Sequence, residues 1–143
     1  MGTRYFAFIV GLIYVLVGLL GFIPGARQPP PPGVPALALE ASYGYLLGLF
    51  PINLLHNLVH LGVGIWGLTA YTTVPRARGF ARGLAVFYGL LTVMGVIPGL
   101  RTLFGWVPLF GHDIWLHALT AMVAAYFGWR PSVATSPSAR QRV

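Results

Sequence analysis

The sequence predicts an all-α membrane protein: four transmembrane helices arranged as two parallel-oriented hairpin repeats, a 2+2 bundle. Three observations carry this. Of 143 residues, 57% are apolar and only 8% charged, whereas ordinary globular chains run near 25% charged. Four apolar stretches are long enough, with their flanks, to span a hydrocarbon core that needs roughly 20 helical residues. Shifting the chain by 74 residues also lays "RYFAFIVGLIYVLVGLLGFIPG" over "RGFARGLAVFYGLLTVMGVIPG", with 9 of 22 positions identical. So little polar surface makes the lipid bilayer the partner and solvent, and backbone groups in lipid pair internally only as helices or closed barrels.

The first span covers about residues 5–23. Its apolar run exceeds that of a secretory signal, and "GFIPGARQ" lacks a small-x-small cleavage pattern, so it is expected to stay. It closes on G-x-I-P-G, the stop that recurs after span three. An outer loop follows over 24–51. Pro29–Pro32 and Pro35 predict extended polyproline-like chain, and 36–50 is open to a short interfacial helix broken at Pro51.

Span two, about 52–71, contains "NLLHNLVH". Span three covers about 80–97 and span four about 113–129. These form a single membrane domain over 1–129. The polar segment 130–143, "RPSVATSPSARQRV", reads as a disordered cytoplasmic tail. Each hairpin restores the starting side, so the two repeats share one orientation about an axis along the membrane normal.

Charge sets the expected topology. All nine cations are arginine. Arg4, Arg76, Arg78, Arg82, Arg130, Arg140 and Arg142 flank the spans on one side, and only Arg27 and Arg101 lie on the other. The positive-inside rule then puts both termini in the cytoplasm of a bacterial inner membrane, as a multi-pass protein. The net charge of +7 is a topology signal with attraction to anionic lipid. No basic stripe interleaved with aromatics points to nucleic acid.

Several chemistries are excluded. With no cysteine, disulfides, iron–sulfur clusters and thiol catalysis have no ligands or nucleophile. Glu40 and Asp113 are the only acids, so no carboxylate relay crosses the membrane. No H-E-x-x-H, phosphate-cradling glycine loop or serine triad is present.

The histidines carry the chemistry that remains. His56 and His60 are four residues apart and stack on one helix face. A shift of 60 lays Asn53 over Asp113, and one residue of slip lays His56 over His117. The His56–His60 stripe continues into Gly64 and Gly67, and that of His117 into Ala121, Ala124 or Ala125, and Gly128. Three readings compete. His56 or His60, paired with His117, could hold haem b, with the small residues leaving room for the macrocycle. His56, His60 and His117 could hold zinc, copper or iron, with Asp113 orienting His117 or adding an oxygen ligand. Alternatively the small-residue stripes simply let helices approach, and the histidines and Asn57 hydrogen-bond across them. Asn53 and Asp113 open helices at matching positions and are expected as N-caps. His112 is expected at the solvated mouth of span four.

The segments "GLFPINLLHNLVHLGVGIWGL", "VFYGLLTVMGVIPG" and "DIWLHALTAMVAAYFGW" resemble a bacterial family of small four-helix integral membrane proteins known as a domain of unknown function, with "FPINLLHNLVH" the most specific part. The resemblance covers roughly residues 4–129. It implies a multi-pass fold and importance for Asn53, His56, His60, Asp113 and His117, and it brings no activity. The functional expectation is therefore a histidine site for haem or a transition metal in a redox or accessory role. The alternatives are a structural or assembly subunit, with membrane-protein partners or as a homo-oligomer, and thirdly a small-molecule transporter.

Overall fold

A computed structural model describes residues 2–131; the predicted tail beyond them lies outside the described residues. Four helices build the body: α1 (Gly2–Leu20), α2 (Leu54–Ala70), α3 (Val74–Val96) and α4 (His112–Trp129). Of these, α1 and α3 are long and apolar enough to cross a membrane, and α2 is apolar but shorter.

Local chemistry fixes the helix ends. Thr73 caps α3 by accepting a hydrogen bond from the Arg76 N–H, with a proline in the first turn, where no backbone donor is missed. Both G-x-I-P-G stops have the same geometry: Ile23 lies at φ −84°, ψ 115° and Ile97 at φ −89°, ψ 116°. The following proline ring disfavours the helical region for the residue before it. Sequence identity thus becomes identical backbone punctuation at the ends of α1 and α3.

α1 packs along α2, and α3 along α4. Glycines set how closely the first pair approaches. A Cβ at Gly64 would lie 2.6 Å from the Val15 backbone nitrogen, and one at Gly11 2.7 Å from that of Leu68. Small residues are the means by which helices gain dispersion contact where lipid removes the hydrophobic drive. Between the pairs lies an aromatic and aliphatic core of Phe6, Phe80, Leu84, Tyr88 and Ala124.

The arginines gather at one end. Arg4 Nε donates to the Tyr71 carbonyl at 2.7 Å, and Arg82 Nε to the Gly128 carbonyl at 2.9 Å. Arg78 donates to the Arg130 carbonyl at 3.4 Å. Each cation meets carbonyls that a helix C-terminus leaves unpaired, at the negative end of its dipole.

The opposite end corrects an expectation. The stretch 36–50 is not an interfacial helix; it contributes to a small antiparallel sheet of β1 (Arg27–Gln28), β2 (Gly44–Leu46) and β3 (Phe50–Ile52). Its sharpest turn runs through Leu47 and Gly48, at φ 52° and 74°, and the Leu49 N–H donates to the Leu46 carbonyl at 3.0 Å. Two consecutive left-handed residues reverse the chain into a hairpin and end any helix. Leu46, Ile52 and Leu109 are almost fully buried, so this end is a packed apolar roof over the start of α2.

Asn53 ties the roof to the bundle. It is fully buried. Its Oδ1 accepts from the His56 N–H at 3.0 Å, capping α2. Its Nδ2 donates to the Leu39 carbonyl at 3.1 Å and to the Trp106 carbonyl at 2.7 Å. One side chain therefore joins α2 to both outer loops.

Two substitutions test this. Gly64→Ala should lower stability in detergent by about 1–3 kcal/mol through overpacking, whereas Gly62→Ala, where a Cβ meets nothing within 4 Å, should be neutral; thermal unfolding of the pair gives the comparison. Asn53→Ala should cost on the order of 2–3 kcal/mol by losing a cap and orphaning two carbonyls. Asn53→Asp, which keeps the acceptor and loses the donors, should recover only the capping part.

Candidate metal centre

The first turn of α2, fixed by Asn53, points His56 into the bundle. α4 begins one residue after Gly111, whose φ of 67° is a backbone conformation that suits glycine. This overturns the expected capping role of Asp113. The cap position belongs to Gly111, which offers no side-chain cap, and Asp113 sits inside the first turn. Four residues on, His117 shares its helix face.

These side chains converge. His56 Nδ1 lies 3.8 Å from Asp113 Oδ2, and the His56 and His117 rings are 6.2 Å apart. A ring nitrogen from His56, one from His117 and a carboxylate oxygen of Asp113 all lie within 4.8 Å of one another. Each of the three residues is at most 4% exposed. Burying such groups is costly unless they are paired or hold a metal. Yet His56 Nδ1, His117 Nδ1 and Asp113 Oδ2 have no hydrogen-bond partner among the described residues.

Two nitrogens and one oxygen suit a first-row transition metal, with coordination positions left for water or substrate. Ligand bonds of 2.0–2.2 Å place tetrahedral donors about 3.4 Å apart, so closure of the 4.8 Å set around an ion needs a contraction of up to about 1.4 Å.

His60 lies beside this group rather than within it. Its ring is 4.5 Å from that of His56, but the convergent set of three does not include it; with Asp113 and His117 it lines a neighbouring cavity. His112 is exposed and accepts a hydrogen bond from Trp115 Nε1 at 3.0 Å, away from the cluster. Asn57 is fully buried, and neither side-chain atom has a partner among the described residues; it packs against Gly21 of the turn after α1.

Two tyrosines complete the walls. Tyr88 meets His117 edge-on at 5.0 Å, Tyr14 meets His60 at 5.2 Å, and the tyrosine rings are 5.6 Å apart. The sequence marked them only as a repeated identity, and no spacing rule placed them against histidines 46 and 29 positions away. The glycine face below the histidines is not open: Gly64 and Gly67 lie against Gly11, Val15 and Ala7 of α1.

No curated protein and no solved structure matches the chain. A family model does match, over residues 4–130. By that match over nearly its whole length, the chain belongs to the family described as a domain of unknown function, DUF4383.

Proposed function

We propose that the protein is a multi-pass membrane protein that binds a divalent transition metal through His56, Asp113 and His117. The observation that carries this is the convergence of three buried residues, each with a side-chain atom that has no hydrogen-bond partner among the described residues. A carboxylate with two imidazoles leaves open coordination positions, the arrangement of an iron or zinc site that acts on a bound molecule. The role is accessory or catalytic chemistry on that molecule.

The membrane reading rests on surface character. All four helices expose large apolar side chains, including Leu12 and Leu16 on α1, Ile65 on α2, Val93 on α3 and Met122 on α4. Patches of that extent mark an interaction surface, here lipid. The arginine-rich end would face the cytoplasm of a bacterial inner membrane, placing the histidines in the outer half of a four-span bundle of two parallel hairpins.

A compact ion fits better than haem. A porphyrin held between His56 and His117 needs a broad slot between their rings, and Asp113 stands against that position. The glycine face that was to make room is filled by α1. A purely structural role for the histidines draws on interhelical hydrogen bonds, and the Nδ1 atoms of His56, His60 and His117 have none among the described residues.

Metal analysis of protein purified in mild detergent should return about one equivalent of iron or zinc, and Co²⁺ titration should develop visible absorption bands. His56→Ala and His117→Ala should abolish binding equally, Asp113→Asn should weaken it at least tenfold, and His112→Ala should change nothing. Full occupancy in either histidine variant would remove the shared-site reading. A Soret band that sharpens with dithionite would replace the ion by haem.

A further inference from the structure

A cavity of ≈ 350 Å³ lies between α1 and α4, two helices that touch only sparsely. Its walls are aliphatic. Ile13 and Val17 of α1 face Leu119 and Val123 of α4, and Ile13, Leu119 and Val123 are exposed, so the cavity opens sideways on the apolar surface. The β2–β3 hairpin closes it above through Leu46 and Ile52. At its inner end stand His60, Asp113 and His117, with Tyr14 and Thr120 beside them.

We propose that this groove admits a neutral lipid with a ring-shaped carbonyl or hydroxyl head, of the prenylated quinone or phenol class, head first from the bilayer. Concave apolar sites with a few convergent polar groups are the usual form of a small-molecule site. Asp113 Oδ2, His60 Nδ1 and His117 Nδ1 have no hydrogen-bond partner among the described residues, and these residues line the inner end. His60, which lies outside the proposed ligand set, can pair through its imidazole with a carbonyl or hydroxyl oxygen of the head, leaving Asp113 and His117 to the ion. The aromatic edges of Tyr14, His60 and His117 suit a planar ring. No arginine lines the groove, so a phosphate headgroup would meet a carboxylate without a countercation. At about 30 Å³ per water-sized group, the volume takes about a dozen such groups, a ring head and the first part of a tail. The remaining tail would stay in lipid.

The inference deepens the metal reading, resting on it for the ion that the head would approach, but the groove stands on its own walls. The test is equilibrium binding of a decyl-substituted benzoquinone to the full chain in phosphatidylcholine nanodiscs, with metal content measured on the same samples. Wild type should bind one equivalent saturably. Val17→Trp and Val123→Trp, which fill the groove from opposite walls, should each weaken binding at least tenfold while metal content stays at the wild-type level. His60→Leu should weaken it similarly. Unsaturable binding, or wild-type affinity in both tryptophan variants, overturns the proposal. Equal displacement by decanoate or dioleoyl phosphatidate overturns the neutral head. Saturable quinone binding by metal-free protein refutes the metal reading and leaves the groove intact.

Discussion

The hydrogen bonds of Asn53 are the constraint on which the sheet-capped half of the molecule depends. One buried amide caps α2 and holds the carbonyls of Leu39 and Trp106. Burying an amide whose donors and acceptors are unmet is costly, and those of Asn53 are met by three separate pieces of chain. The residue that donates the capping N–H is His56 itself. The position of the first proposed ligand is therefore set by the same bonds that close the roof. A loop that shifted away from Asn53 would release both the helix start and the imidazole.

Beneath that roof the packing is uneven, and the unevenness creates the groove. Glycine contacts draw α1 tightly onto α2, and α3 and α4 are extensively packed. α1 and α4 bear no comparable complementary faces, so space remains between them, bounded by branched side chains that cannot collapse into it. Polar groups at its end are shielded by aromatic rings on the inner side and by the hairpin above. A low-dielectric pocket of this kind strengthens any charge-assisted contact made inside it. The same geometry that costs the protein buried polar atoms gives those atoms a reason to bind something.

Much of the helical architecture was legible from residues. Apolar runs gave four helices within a few residues of α1, α2 and α4, while α3 begins earlier than predicted, at Val74, because Thr73 and Pro75 supply a start signal within a polar, arginine-rich stretch. The Asn53 cap followed from its place before an apolar run. The roof was not legible. Ala36–Phe50 holds good helix formers such as Leu and Ala, and what decides against helix there is the left-handed pair Leu47–Gly48 together with pairing to Arg27 and Gln28. Those are tertiary facts. Within the cluster, His56 and His117 are expected together from the histidine pattern, whereas Asp113 is expected first as an N-cap and only secondarily as an oxygen ligand. The exclusion of His60 from the convergent set could not be read from spacing, because it depends on how far α2 has turned as it passes α4.

The spacing from each polar residue to the following histidine separates the roles of Asn53 and Asp113. Asn53 precedes His56 by three positions, which is the reach of an N-cap side chain to a backbone N–H. Asp113 precedes His117 by four, which places both on one helix face. In the second half the chain enters the helix through Gly111 in a left-handed conformation, so no side chain is required at the cap. Asp113 is thereby freed from the backbone and turned inward, where its carboxylate stands 3.8 Å from the His56 imidazole. Asp113 thus stands beside two imidazoles, and the proposed ion would draw on a mixed set of oxygen and nitrogen donors rather than on imidazoles alone.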